Sequence, residues 1–189
     1  VSTQQITKAM KIVSAAKLRR AQQAIVQLRP YSEKLNGMLT NILSNISGDD
    51  SSVFNAEREA KSIAIVIVTS NRGLAGALNS NICKAATELV KTKYAEALAA
   101  NNVTFVTIGK KGNDYVKRVY KNAPVINDYV NAFSDLSFNN IAPIASVLMD
   151  DFVAGKYDAI EIVYSKFKNA GTQIFKTEKF LPVKKMPVD

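Results

Sequence analysis

The first quarter of the chain is the feature that most restricts what the chain can fold into. From Thr3 to Asn45 there is no strong helix stop, and good helix formers such as Ala, Leu, Lys, Arg and Gln predominate. Apolar residues recur there in steps of three and four within two runs: Ile6, Met10 and Val13, then Ala24, Leu28, Tyr31, Leu35, Met38 and Ile42. This spacing predicts a long helix that carries the apolar seam of a coiled coil.

The predicted seam is interrupted in its middle. The same register places Lys17 and Arg20 on it, so the partner surface changes character there. Pro30 removes one backbone hydrogen bond, which predicts a kink rather than an end of the helix. A helix of about 43 residues would be about 65 Å long, whereas a compact domain made from the remaining residues is about 30 Å across. At least half of the helix therefore projects beyond the domain and needs a partner.

The distribution of charge also indicates a partner. The chain has a formal net charge of +9. Its predicted helix carries a single acidic residue, Glu33, and these basic residues: Lys8, Lys11, Lys17, Arg19, Arg20, Arg29 and Lys34. A solvated helix face normally interleaves acidic residues, so their scarcity favours an acidic protein surface or a nucleic acid as the partner. Residues 1–30 contain no aromatic side chain on which nucleic-acid bases could stack.

Beyond a predicted loop at residues 47–52 (SGDDSS), strands alternate with helices, which is typical of βαβ units on a parallel sheet. The predicted strands are Lys61–Ser70, Val103–Ile108, Pro124–Ile126, Asp158–Tyr164 and Gly171–Val183. The predicted helices are Leu78–Ala100, Asp114–Tyr120 and Ile141–Val153. We therefore predict an α/β fold in which a long N-terminal coiled-coil helix (1–47) and a linker (48–60) precede a Rossmann-like, mainly parallel sheet domain (61–189). The last strand is predicted to be an antiparallel edge.

The composition removes the usual tools of catalysis. The chain has no histidine, and Cys83 is its only cysteine, so His-based acid–base chemistry and an intrachain disulfide are excluded. Cys83 is predicted to be a small core residue, and the adjacent pairs Asp49–Asp50 and Asp150–Asp151 are predicted to be solvated. We predict no catalytic, cofactor-binding or metal-binding residues. No apolar run is long enough to span a bilayer, so no direct membrane span is predicted.

The turn from Asn71 to Ala77 (NRGLAGA) lies between a predicted strand and a predicted helix, where phosphates often bind. It contains only Gly73 and Gly76, and no Lys follows the second glycine, so it matches neither of the common phosphate-binding patterns. The glycines indicate a tight turn with close helix–sheet packing, and phosphate binding is the less favoured alternative.

Three stretches resemble the γ subunit of F-type ATP synthases. The first is Ile6–Gln22 (ITKAMKIVSAAKLRRAQ), followed by Leu28-Arg29-Pro30-Tyr31; the second is Thr69–Ile82 (TSNRGLAGALNSNI); the third is Tyr164–Gln173 (YSKFKNAGTQ). Together they extend over nearly the whole chain. The family continues beyond its α/β domain into a long C-terminal helix, and it begins before residue 1. The resemblance therefore implies that this chain is a fragment that lacks the C-terminal helix.

The resemblance implies a central-stalk rotor subunit that couples proton flow to ATP synthesis by rotating within the α/β catalytic ring. It implies as partners the α and β subunits, the ε subunit and the membrane rotor ring, with no nucleic acid and no chemistry on this chain. The implied location is peripheral, on the cytoplasmic face of the bacterial cell membrane or, less favoured, on the matrix side of the mitochondrial inner membrane. The residues it places on the shaft are Ile6, Lys8, Met10, Lys11, Val13, Lys17, Leu18, Arg19 and Arg20.

Two other functions fit parts of the sequence. A basic nucleic-acid-binding α/β protein would account for the net charge, and its affinity would fall steeply with salt. A nucleotide-binding enzyme would use the turn at Gly73 and Gly76, although the motif residues and catalytic groups for it are missing.

Overall fold

The structure, a computed structural model, describes residues 2–45, 53–169 and 171–183. These residues divide into two compact units, one that contains the N-terminal helix and one that contains the sheet. The loop predicted at residues 47–52 lies outside the described residues. The domain boundaries predicted at residues 47 and 60 stay a prediction.

The N-terminal unit is built on one helix, α1, which extends from Ser2 to Asn45 and has 44 residues. At 1.5 Å per residue it is about 66 Å long. The helix continues through Pro30, and a bend at this residue stays a prediction. Of the α1 side chains that the structure describes, only Gln22 and Ile25 are partly buried. The helix is therefore held by its own backbone hydrogen bonds and its sequence propensity, because it buries little apolar surface.

The second unit alternates strands and helices. In chain order its elements are β1 (Ile63–Val68), α2 (Leu78–Lys93), α3 (Ala95–Ala99), β2 (Val103–Ile108), α4 (Lys110–Val119), β3 (Val125–Ile126), α5 (Phe138–Val153), β4 (Ala159–Asn169) and β5 (Thr172–Leu181). Short 3₁₀ helices occupy Val53–Asn55 and Ala132–Ser134.

The five strands form one sheet in the order β3-β2-β1-β4-β5. The β1 strand lies at its centre and pairs in parallel with β2 and with β4, and β2 pairs in parallel with β3. The β5 strand pairs with β4 in the antiparallel direction and forms an edge. The predicted fold class, an α/β protein with a long N-terminal helix and a mainly parallel sheet, is confirmed.

Both faces of the sheet are covered, which explains why β1 (IAIVIV) is apolar at every position. Ile63, Ile65 and Ile67 point into a core that they share with α2, α3 and α4. Ala64 and Val66 point into a second core on the opposite face, which is built with α5. The helices therefore sandwich the sheet in three layers.

The structure places several element ends differently from the sequence prediction. The α4 helix begins at Lys110 rather than Asp114, because Gly109 makes the turn alone with φ of +103°. The helix predicted over Leu78–Ala100 is interrupted at Tyr94, which separates α2 from α3. The β4 strand extends five residues past Tyr164, because β5 pairs with it along this length. Such ends depend on contacts between elements, which a local pattern does not contain.

A buried carboxylate lies inside the first of these cores. Glu161 on β4 is only 2% exposed, and its Oε1 accepts a hydrogen bond of 2.6 Å from the Tyr94 hydroxyl. The same oxygen forms an ion pair with the Lys93 ammonium group, whose side chain is about half exposed. The break between α2 and α3 at Tyr94 thus coincides with the point where two successive residues reach the same carboxylate.

Three tyrosine hydroxyls make the stability of this unit sensitive to alkaline pH. Burial, followed by the hydrogen bond to Glu161, raises the pKa of Tyr94. Burial also raises the pKa of Tyr120, and that of Tyr164 to about 12. The ordinary tyrosine pKa is about 10, and below it the folded and unfolded states both keep the proton. Above it the unfolded state releases the proton first, so stability is lost as pH rises through about 10 to 12.

We expect urea titrations to give an unfolding free energy that is constant up to about pH 9 and then falls. Tyrosinate absorbance can be followed in the same samples, because the chain has no tryptophan. The Tyr94→Phe variant should show a shallower fall, and Tyr31→Phe, which changes an exposed side chain of α1, should match the unsubstituted protein. Equal pH profiles for Tyr94→Phe and the unsubstituted protein would contradict this expectation.

Candidate interaction surfaces

The apolar seam predicted for the N-terminal helix lies along one side of α1. On a helix with about 100° between successive residues, Ile6, Met10 and Val13 share one face. Each of these three side chains is more than half exposed. The second apolar run, which includes Leu28 and Tyr31, is also exposed. A stripe of large apolar side chains along a helix is a surface for packing against another helix.

The nine residues assigned to the shaft do not form one patch. Helical spacing places five of them on the seam side: Ile6, Met10, Val13, Lys17 and Arg20. The other four lie around the opposite side of the helix: Lys8, Lys11, Leu18 and Arg19. All nine side chains are exposed. The helix therefore offers one face that is apolar and then basic, and a second face that is mainly basic.

The basic residues of α1 lack acidic neighbours. Within the described residues, Lys8, Lys11 and Lys17 form no ion pair, and neither do Arg19 and Arg20. Like charges spaced three or four residues apart on one helix repel each other. An acidic surface brought against either face would relieve this repulsion, so the charge pattern selects for such a partner.

In the sheet unit, the turns at the carboxyl edge of the parallel strands are held by dedicated polar contacts. The Thr69 hydroxyl accepts a hydrogen bond of 2.7 Å from the Gly112 backbone N–H. The Asn71 side-chain oxygen accepts one of 2.9 Å from the Lys110 backbone N–H. The turn after β1 and the turn after β2 are thus tied to each other.

The turn from Asn71 to Ala77 satisfies its own polar groups. The Asn79 amide bonds to the Ser70 backbone N–H, to the Ser70 hydroxyl and to the Arg72 carbonyl oxygen. Gly76 has φ of +57°, as a tight turn requires. The interpretation of Gly76 as a turn residue is therefore confirmed, and phosphate binding gains no support from this geometry.

An apolar groove of about 320 Å³ lies at the carboxyl ends of β1 and β4. Its aromatic lining comes from three separate segments, as Phe133, Tyr164 and Phe167. The sequence analysis did not find this groove, because no local pattern brings these three residues together. Grooves at this edge of a parallel sheet are frequent binding places.

The titratable side chains that were singled out in the sequence have structural roles. Cys83 is 2% exposed, and burial raises the pKa of its thiol to about 11, which keeps it protonated and unreactive near neutral pH. Its prediction as a core residue is confirmed. Asp151 forms an ion pair of 2.8 Å with Lys156. The part of the chain that the structure describes holds no group of three metal-ligating side chains placed to bind an ion. None of the helices found in the described residues has the length and apolar character that crossing a membrane requires.

Comparison with known families and sequences gives a consistent result. The chain matches the family model described as ATP synthase over residues 1–188. It is 49% identical over 183 residues to the ATP synthase gamma chain of Cytophaga hutchinsonii, and 49% identical over 182 residues to that of Flavobacterium psychrophilum. The alignments cover 97% and 96% of this chain and 61% of each relative. The chain therefore spans about three fifths of the length of these relatives.

Solved structures resemble the fold. The chain superposes with a TM-score of 0.68 and 25% identity on a chain of the Tetrahymena thermophila mitochondrial ATP synthase central stalk/c-ring structure. That superposition covers 94% of this chain and 72% of the other. A chain of the Euglena gracilis mitochondrial ATP synthase rotor gives a TM-score of 0.61 at 23% identity, and covers 95% of this chain and 58% of its own length. The second likeness concerns the fold alone.

Proposed function

This chain belongs to the ATP synthase family, and from that membership we propose that its full-length protein is the central-stalk rotor subunit of an F-type ATP synthase. The observation that carries the proposal is the family match over residues 1–188, together with 49% identity to an ATP synthase gamma chain. The subunit couples proton flow to ATP synthesis by rotating inside the ring of α and β subunits.

The proposed partners follow from the two faces of α1. The apolar seam at Ile6, Met10 and Val13 packs against a second helix of the same full-length protein. The basic residues around Arg19 and Arg20 meet acidic loops of the β subunits. The sheet unit stands outside the ring and contacts the ε subunit and the membrane rotor ring. The complex places this subunit on the cytoplasmic face of the bacterial membrane, without a span of its own.

The subunit is proposed to transmit torque without making or breaking bonds. Steric and electrostatic contacts suffice for this, because a rigid helix about 66 Å long can carry a lateral force between its two ends. The absence of histidine and the burial of Cys83 are consistent with a mechanical role. The family match favours this function over nucleic-acid binding.

Reconstitution tests the proposal directly. The full-length protein is mixed with separately purified α and β subunits, and ATP hydrolysis is assayed on the isolated complex. A stable, active complex that contains one copy of this chain is the expected result, and the chain alone should show no ATPase activity. Failure of a well-folded protein to assemble would overturn the rotor function, and a salt titration of DNA and RNA binding would then test the nucleic-acid alternative.

The basic residues of α1 provide a prediction about coupling. Reversing both charges, as Arg19→Glu and Arg20→Glu in the full-length protein, should reduce coupled ATP synthesis at least about tenfold, because it replaces attraction to acidic loops by repulsion. The sheet unit should keep its stability, since both side chains are exposed on α1. Synthesis is measured in membrane vesicles that carry the variant complex.

A matched control separates this effect from a change in net charge. Lys84 and Lys91 are exposed on α2, and the double variant Lys84→Glu and Lys91→Glu changes the charge by the same amount. This control should retain most of the coupled synthesis. If both double variants lost synthesis equally, the electrostatic role of the α1 residues would be refuted.

A further inference from the structure

Leu74, in the turn after β1, is fully exposed, with a relative accessible surface of 109%. No other large apolar side chain among the described residues is as exposed. Single exposed leucines are common on protein surfaces and need no explanation by themselves. What distinguishes Leu74 is its backbone, which has φ of +58°. That conformation is unfavourable for a bulky residue and is normally occupied by Gly, Asn or Asp.

The surrounding turn is built to hold this unfavourable conformation. On one side of Leu74, the Arg72 carbonyl oxygen accepts hydrogen bonds from the Ser70 hydroxyl (2.7 Å) and from the Asn79 amide (3.3 Å). On the other side, the Leu78 backbone N–H donates to the Ala75 carbonyl oxygen over 3.3 Å. The Leu74 side chain makes no use of this rigidity within the sheet unit, since it points wholly into solvent.

The neighbourhood of Leu74 is basic. No acidic residue occurs between Ser70 and Ile82 in the sequence. Arg72 lies two residues away in the chain, and the Lys111 side chain lies beside the turn, because a Cβ atom placed on Gly73 would be 3.7 Å from its Cε and 3.9 Å from its Nζ. An apolar tip bordered by two cations complements an apolar socket bordered by carboxylates.

We infer that Leu74 is an anchor residue that inserts into an apolar, carboxylate-bordered socket on a neighbouring subunit of the complex. A rigid, pre-formed apolar tip loses little conformational freedom on binding, which is the property of residues that dominate an interface. The inference rests on the proposed function, because the neighbouring subunit is one of those that surround the rotor. The strain at φ of +58° fixes the side chain in the outward direction before the partner arrives.

The test replaces the apolar tip without adding strain. Asn tolerates the left-handed conformation, so Leu74→Asn removes the anchor and leaves the turn intact. Complexes are assembled from the full-length chain with purified α, β and ε subunits, and the dissociation rate of the chain is measured after dilution. The matched control is Leu136→Asn, which removes an exposed leucine from a different segment of the sheet unit.

We expect Leu74→Asn to dissociate at least about tenfold faster, which corresponds to about 1.4 kcal/mol, while the control dissociates like the unsubstituted chain. The urea midpoint of the isolated Leu74→Asn chain should be equal or higher, because the backbone strain is relieved. A merely structural leucine would not weaken binding and strengthen folding at once.

The outcomes separate the inference from the proposed function. If the unsubstituted chain assembles and Leu74→Asn dissociates at the same rate, the anchor is refuted and the rotor function stands. Faster dissociation accompanied by a lower urea midpoint also overturns the anchor, because the effect is then one of folding. If the unsubstituted chain does not assemble, both the rotor function and the anchor are overturned.

Discussion

The Gly109→Ala variant is expected to lose about 4 kcal/mol or more of unfolding free energy, a large part of the stability of a domain of this size. Gly109 joins β2 to α4 with φ of +103°, a conformation that side chains rarely adopt. A Cβ atom on this residue would also lie 2.0 Å from the Thr69 carbonyl oxygen and 2.7 Å from its carbonyl carbon. These are backbone atoms, so they cannot move aside without shifting the end of β1.

The two sources of this cost can be separated with a second glycine. Gly76 also has positive φ, +57°, but an added Cβ would meet nothing within 4 Å. Gly76→Ala should therefore cost only the backbone term, about 1 kcal/mol. Urea unfolding of both variants gives the comparison. An equal loss for Gly109→Ala and Gly76→Ala would show that the close approach of Gly109 to Thr69 contributes nothing.

The Lys93→Met variant is expected to lose about 2 kcal/mol, because it leaves the Glu161 carboxylate buried without its ion partner. Removing one partner of a fully buried pair costs more than this, but Lys93 is about half exposed and its interaction is screened by water. Glu161 keeps the hydrogen bond from Tyr94, which limits the loss further. Urea unfolding measures the effect, and Lys91→Met, an exposed change on the same helix, should be close to neutral.

A double-mutant cycle identifies the cause of this loss. Glu161→Gln removes the charge but retains an oxygen that can accept from the Tyr94 hydroxyl. In the Glu161→Gln background, Lys93→Met should cost much less than it does alone, since no buried charge is left unpaired. Additive losses would mean that the two residues do not interact and that the effect of Lys93→Met arises from packing.

The long helix and the sheet unit divide the work of the proposed rotor. The helix offers extended contact surfaces with little burial of its own, whereas the sheet unit has two filled cores and turns that are tied together by hydrogen bonds. A shaft must present its surfaces to partners, so exposure of Ile6 and Arg20 is a functional property rather than a defect of packing. The rigidity of the sheet unit allows Leu74 to be held in a fixed direction.

Sequence reasoning found the helix and the strands because each is encoded by a short-range period. Apolar spacing of three and four residues defined α1, and a continuous β-branched run defined β1. The turn at Gly76 was also readable, since glycine at such a place has few other reasons. The same reasoning missed the apolar groove and the Glu161 network, because Phe133, Tyr164 and Phe167, or Lys93 and Glu161, are far apart in the chain.

The sequence by itself determined the family, the class of the fold, and the faces of α1 that carry apolar and basic residues, because these depend on residue types at fixed local spacing. Only the tertiary structure decided that α4 begins directly at Lys110, that Glu161 is buried beneath Lys93, and that Leu74 points into solvent with positive φ. The physical reason is that burial and backbone strain are set by which distant segments meet. Thr69 restricts Gly109 from forty residues away, and no local pattern contains that distance of 2.0 Å.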